Sequence, residues 1–277
     1  PVASAQVKSA LLLAGLYARG ETTVVEPAPT RDHTERMLGG FGVELERDGA
    51  AVSVRGGQTL RATAIDVPAD ISSAAFFLAG ASIAAGSDLV LEHVGMNPTR
   101  TGVVEILRLM GADIEVRNER DVGGEPVADL RVRSAALHGV AVPPELVPLA
   151  IDEFPALFVA AACARGTTVV TGAAELRVKE SDRIAVMADG LRALGIDATP
   201  PPDGMVIEGR GGTLEAFSAG AIEARADHRI AMAFAIAGLR AGGEIIVRDT
   251  ANVATSFPGF EALAKGAGLS IEERVQA

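Results

Sequence analysis

The stretch that decides the fold runs from 152 to 170: Asp152-Glu153-Phe154-Pro155-Ala156-Leu157-Phe158-Val159-Ala160-Ala161-Ala162-Cys163-Ala164-Arg165-Gly166-Thr167-Thr168-Val169-Val170. Two carboxylates open a helix-length run that is apolar on every face, a glycine stops it, and a β-branched strand follows. A helix without a polar side belongs at the centre of a layer and not on a surface.

The same order is written three more times. Its openings stand at Ser4, Asp70 and Asp227, beside Asp152, and the first helices run into Gly20, Gly86, Gly166 and Gly243. Each copy continues through a loop and a second helix into Gly42, Gly111, Gly195 or Gly268. Self-similarity at a period of roughly 75 residues is too long for the common helical solenoids and implies stacked supersecondary units that share a core. The spacing predicts helices over 7–16, 73–84, 155–164 and 229–239, each followed by a strand, at 22–26, 88–92, 167–170 and 244–247. Second helices are expected at 33–39, 102–110, 183–194 and 259–267. Hairpin strands follow at 43–45 with 51–55, 113–117 with 129–133, and 204–208 after a Pro-rich turn at 200–203. A last strand is expected at 269–272. The fold class is therefore α/β (α+β), built from repeated βαβαββ units whose apolar first helices lie side by side under their own sheets. The boundary between units one and two falls in 61–68, where Ile65-Asp66-Val67-Pro68 reads as an extended connection.

Composition narrows the function. With 277 residues, 48% apolar and 22% charged, the chain can bury a large core. The formal charge of −11 argues against nucleic acid or an anionic membrane as partner, so any anionic substrate needs a local positive site. Neither a membrane span nor a secretory signal is expected, and the single cysteine, Cys163, reads as a buried unpaired thiol, which fits a reducing, cytoplasmic location.

Helix N-termini bind anions through free N–H groups and the positive end of the macrodipole. Ser4-Ala5-Gln6 with Lys8, Asp152-Glu153, and Asp227-His228-Arg229 give three of the openings residues suited to an anion site, whereas Asp70 with Ser72 and Ser73 reads as an ordinary N-cap. Before the second helix of unit three stands Arg177-Val178-Lys179-Glu180-Ser181-Asp182-Arg183, whose alternating cations and carboxylates suit phosphate or carboxylate binding with a proton donor beside a lysine. Unit one has Thr30-Arg31-Asp32-His33-Thr34-Glu35 in that slot and unit two has Asn97-Pro98-Thr99-Arg100. Arginine recurs there in three copies, where bidentate anion recognition is natural.

Together with Thr255-Ser256-Phe257-Pro258, these motifs, in order along the whole chain, resemble the 5-enolpyruvylshikimate-3-phosphate synthase family. Those of unit one and Asn97 to Arg100 are similar in particular to its class II members, a group that includes glyphosate-insensitive enzymes. The resemblance implies an enolpyruvyl transferase-like inside-out α/β barrel of two domains, three units each, closing over substrates. Four units are seen here, so 1–67 would be the last unit of the first domain and 68–277 the second domain, lacking a closing strand supplied by the N-terminal segment. The implied reaction moves the enolpyruvyl group of phosphoenolpyruvate to the 5-hydroxyl of shikimate 3-phosphate and releases phosphate, in a monomer without metal or organic cofactor. Asp152 would be the base at the hydroxyl and Glu180 the proton donor to the methylene, with Lys179 binding substrate phosphate and holding the Glu180 carboxylate. Ser4, the Ala5 backbone, Gln6 and Arg31 would bind shikimate 3-phosphate. Gln6, Arg183, Arg229 and His228 would hold phosphoenolpyruvate.

Two departures bear on the transfer. Class I enzymes have a second serine where Ala5 stands, and a lysine before the Phe-Pro pair where this chain has Thr255. With two units missing, the 1–277 fragment alone is expected to be inactive. Alternatives are the sister transferase acting on UDP-N-acetylglucosamine, which shares fold and donor but not the 179–183 run, and a noncatalytic α/β repeat scaffold.

Overall fold

The computed structural model describes residues 3–274. Unit one contains α1 (Ala5–Gly15), β1 (Glu21–Val25), α2 (His33–Gly40), β2 (Leu45–Asp48) and β3 (Ala51–Arg55). Unit two has α3 (Ile71–Ile83), β4 (Asp88–Gly95), α4 (Gly102–Leu109), β5 (Asp113–Val122) and β6 (Glu125–Arg133). Unit three has α5 (Phe154–Ala162), β7 (Arg165–Val170), α6 (Arg183–Ala193), β8 (Asp197–Thr199) and β9 (Met205–Arg210). The fourth has β10 (Gly220–Glu223), α7 (His228–Ala237), β11 (Ile245–Arg248), α8 (Asn252–Ser256) and α9 (Phe260–Gly266).

The first three units share one sheet topology. The strand after the first helix pairs antiparallel with the last strand, which pairs antiparallel with its hairpin mate, giving orders β1-β3-β2, β4-β6-β5 and β7-β9-β8. A parallel entry segment precedes each later first helix: Ala69 bridges Val94, His138 and Ala141 bridge Arg165 and Val169, and β10 pairs with β11. Sequence reading missed β10 because Gly220-Ala221-Ile222-Glu223 is too short to carry a period. The strand expected at 269–272 is a correction: that segment has no regular structure.

The recurrent glycines after the second helices have one cause. Gly42, Gly111, Gly195 and Gly268 all have φ between 80° and 99°, a left-handed conformation that closes a helix at little cost only without a Cβ. In each, the next N–H returns to a carbonyl five residues back: Val43 to Leu38, Ala112 to Leu107, Ile196 to Leu191 and Leu269 to Ala264.

Helices α3, α5 and α7 pack on one another, as their all-round apolarity predicts. Every residue of α5 is buried. Small residues set the spacing: a Cβ on Gly80 would lie 3.3 Å from Ile236, and one on Gly190 would lie 2.3 Å from the Phe234 ring. Cys163 ends α5 buried, and burial pushes its thiol up to about 12. Residues 71–269 contribute one continuous core, and Leu12, Leu16, Leu38, Val43, Val52 and Val54 form a second. Helix α1, expected beside the other first helices, is a correction: it rests on β1 and β3 over the second core, with Val7, Leu11 and Leu13, and Tyr17 just beyond it, exposed. Among the described residues no helix is long and apolar enough to cross a membrane.

The β5–β6 hairpin is longer than its apolar alternation predicts, because its outer half is the charged ribbon 117–121. Asp129 accepts from the His93 N–H at 2.8 Å and the Asn118 amide at 2.7 Å, holding the two bulged segments that flank β6. The hairpin tip reaches unit one, where Arg36 donates to the Gly124 carbonyl at 3.2 Å and His33 pairs with Glu125 at 2.7 Å. Buried Asn97 adds bonds to Asp32 at 2.7 Å and Glu125 at 3.0 Å.

Candidate active site

The openings of the three central helices meet. Asp70 caps α3 by accepting from Ser72 N at 3.2 Å and Ser73 N at 3.0 Å, as its sequence suggests. Asp227, fully buried, caps α7 through Arg229 N at 3.0 Å. Glu153, at the N-cap position of α5, makes no cap bond; its carboxylate accepts from the Ser72 hydroxyl. Arg100 lies 3.3 Å from Asp70 and 3.7 Å from Glu153, and also donates to Ser72. This corrects the reading of Arg100 as an anion receptor: its charge is used to tie α3 to α5. Burial pushes the Glu153 carboxyl up from its ordinary value.

Asp152 is the centre of the cationic group. Arg31, from the loop before α2, donates to its carboxylate; Lys179 Nζ lies 3.3 Å and Arg183 Nη1 3.6 Å from Oδ1. Arg229 donates to the Asp152 carbonyl at 3.2 Å. Burial alone would raise the pKa of this carboxyl, but the Arg31 hydrogen bond and the charges of Arg229, Arg31 and Lys179 outweigh it and hold it far below the usual carboxylate range. Four cations around one carboxylate make the local positive site that an acidic chain otherwise lacks.

The 177–183 cluster divides its work. Arg177 spans to Asp182 at 2.8 Å and to the Pro201 and Pro202 carbonyls, clamping the Pro-rich turn away from Asp152. Lys179 pairs with Glu175 and Asp152, whereas Glu180 pairs with Arg183. Lys179 and Glu180 make no ion pair with each other here; Lys179 is extended, at φ −80° and ψ −155°, and successive side chains on extended backbone point to opposite sides. The cation paired with Glu180 is Arg183. It is 1% exposed, its Nε lies 2.8 Å from Asp227, and its Nη1 has no hydrogen-bond partner on the Asp152 side. Ser181 also donates to Asp227, at 3.0 Å.

His228 and Arg229 open α7 half-buried. Burial, then the neighbouring Arg229 charge, lowers the His228 pKa from its ordinary value. Ser4 caps α1 through Val7 N at 3.3 Å, with Ala5 and Gln6 beside it. Among the described residues no hydrogen bond or ion pair links Ser4, Ala5 or Gln6 to the Asp152 cluster. Phe257 packs on Phe77 and Phe260.

Sequence reasoning left Asp227 without a role of its own, although it orients Arg183 and Ser181. Its place at the fourth opening was the available signal, but the 44-residue span to Arg183 is encoded in no local pattern. Chemically the arrangement suits an anion bearing several negative groups, with Asp152 available to take a proton once that anion draws the cations away, and Glu180 half-exposed at the edge. Among the described residues no three His, Cys, Asp or Glu gather as a metal site.

The family model described as EPSP synthase (3-phosphoshikimate 1-carboxyvinyltransferase) matches residues 1–263. A 3-phosphoshikimate 1-carboxyvinyltransferase from Alkalilimnicola ehrlichii is 69% identical over 98% of this chain and 60% of that protein. An EPSP synthase from Acinetobacter baumannii superimposes with a TM-score of 0.96 at 62% identity, over 98% of this chain and 62% of that one. The enolpyruvyl transferase NikO from Streptomyces tendae shares the fold, with a TM-score of 0.76 at 19% identity over 96% of this chain and 59% of its own. The chain thus spans about 60% of the length of the curated relatives it matches. The family match over residues 1–263 and the likeness to the A. baumannii enzyme lead to one conclusion: this chain belongs to the EPSP synthase family.

Proposed function

We propose that the complete protein transfers the enolpyruvyl group of phosphoenolpyruvate to the 5-hydroxyl of shikimate 3-phosphate with release of phosphate, a step in the shikimate pathway to chorismate and aromatic amino acids. The observation that carries this reading is the Asp152 carboxylate between Arg31, Lys179 and Arg183. In this reading Arg31 and Lys179 take the acceptor's phosphate, which frees Asp152 to accept the hydroxyl proton. Arg183 and Arg229 hold the donor's carboxylate and phosphate by charge-assisted bonds. Glu180, next to Arg183, gives a proton to the donor methylene. Ser4, the Ala5 backbone and Gln6 complete the acceptor side, Gln6 also touching the donor, and His228 lies alongside Arg229.

The reading extends to organisation: 1–67 belongs to one domain and 68–277 to a second that closes on it, in a cytoplasmic monomer. Turnover is expected of the complete protein and not of residues 1–277 alone. A coupled phosphate-release assay on the complete protein tests it, with shikimate 3-phosphate expected to support turnover and UDP-N-acetylglucosamine expected not to. Release with the nucleotide sugar alone, or with neither acceptor, would sink the proposal.

A further inference from the structure

Lys8 stands one turn beyond Ser4 on α1 and is 2% exposed. A lysine is seldom so buried unless it is paired. Its Nζ lies 2.7 Å from Glu35 Oε1 and 3.1 Å from each Glu26 oxygen, so its donors are turned onto protein carboxylates. Glu35 also pairs with Arg47 at 3.1 Å, giving two cations against two carboxylates. Glu26 further accepts from the Thr30 hydroxyl. Glu26 and Thr30 bracket the loop that delivers Arg31, and Arg31 is the next residue after the tether. A second link joins the same helices, Ser9 Oγ to Thr34 Oγ1 at 2.7 Å.

We infer that Lys8 is a positioning residue: through Glu26 and Thr30 it fixes the loop carrying Arg31 to the helix whose opening holds Ser4, Ala5 and Gln6. The sequence groups Lys8 with the candidate anion-binding residues, but an enclosed and neutralised ammonium has no charge to spare for a substrate. Its effect travels along α1, Lys8, Glu26, Thr30 and Arg31 to Asp152. This rests on the functional reading above and deepens it, because the loop that the tether holds carries Arg31, which in that reading touches the acceptor and not the donor. Arg183 and Arg229, on the donor side, stand on α6 and α7, and among the described residues no hydrogen bond or ion pair joins them to Lys8, Glu26 or Thr30.

The test is steady-state kinetics on the complete protein carrying Thr30→Val, Lys8→Met, Arg31→Ala, and Thr30→Val combined with Arg31→Ala. Thr30→Val keeps the shape and removes one hydrogen bond, so KM for shikimate 3-phosphate is expected to rise about threefold. Lys8→Met leaves two carboxylates facing each other, and a rise of about tenfold or more is expected. KM for phosphoenolpyruvate should stay within about twofold in both. In the Arg31→Ala background Thr30→Val should add nothing, since the tether acts through Arg31. Equal rises in both KM values, an unchanged acceptor KM in Thr30→Val, or full additivity with Arg31→Ala would each overturn the inference. If Lys8→Met fails to fold, the Thr30 pair decides. A wild-type protein that does not turn over shikimate 3-phosphate overturns the functional reading and this inference with it; normal wild-type turnover with indifferent variants overturns this inference alone.

Discussion

Arg31 hydrogen-bonds the carboxylate of Asp152 across 121 residues of chain, joining the loop of the first unit to the opening of the third. That contact brings a cation from one core to a carboxylate at the edge of another, and it is the largest favourable influence on the ionisation of Asp152.

Replacing that carboxylate separates its two roles. Asp152→Asn should lower turnover by about 10²-fold or more while leaving substrate binding largely intact, measured by steady-state kinetics on the complete protein. The folded pKa lies below the unfolded value of about 4, so ionised Asp152 stabilises the fold above that pH, and the contribution is lost as pH falls toward the folded value. Urea midpoints of wild type and variant should therefore converge in acid and stand apart at neutral pH. A constant gap across pH would mean that the Arg31 pair contributes nothing.

Glu180 offers a cleaner chemical test, because its side chain is half-exposed and contacts Arg183 alone among the site cations. Glu180→Gln should cost about 10²-fold in turnover with stability near that of wild type. Steady-state kinetics on the complete protein and thermal melts check the two halves; full rate in this variant would remove Glu180 as proton donor.

Asp227 should behave differently. Asp227→Ala strips buried Arg183 of the carboxylate on its Nε but leaves Glu180 and Asp152 beside the guanidinium, so the loss should stay below the about 3–5 kcal/mol of a fully unpaired buried charge, with a helix cap worth about 1 kcal/mol lost as well. Asp227→Asn keeps an acceptor for the cap and should lose less. Urea denaturation gives the stabilities, and a raised KM for phosphoenolpyruvate in Asp227→Asn would report the loosened Arg183.

Gly190 tests the packing of α6 against the central helix α7. An added methyl would meet the Phe234 ring at 2.3 Å, so Gly190→Ala should destabilise by about 1–3 kcal/mol. Adding Phe234→Leu should recover part of that loss, which a double-mutant cycle measures. Independent, additive losses would show that α6 and α7 can separate to make room.

Much of the fold was legible because each unit repeats short-range signals. Apolar runs without a polar face marked the first helix of every unit as central, which holds for α3, α5 and α7 but not for α1, and glycines at recurring positions marked the ends of second helices, since only a residue without Cβ closes those ends at positive φ without strain. Asp70 and Asp227 were readable as openings, because an N-cap acts over two or three residues. The outer half of the β5–β6 hairpin was not legible, since a charged, exposed ribbon carries no hydrophobic period.

By itself, the sequence determined the units, their order, the apolar centre and the residue types gathered at the helix openings, all consequences of local periodicity and capping. Tertiary structure alone decided which charges meet. Lys8 and Arg100 look like free cations in the sequence, yet one is enclosed by Glu26 and Glu35 and the other ties Asp70 to Glu153, whereas Arg31 and Lys179 face Asp152. The reason is physical: an ion pair acts over a few ångströms of space, and the distance in space between two side chains is set by how whole units pack, not by their separation along the chain.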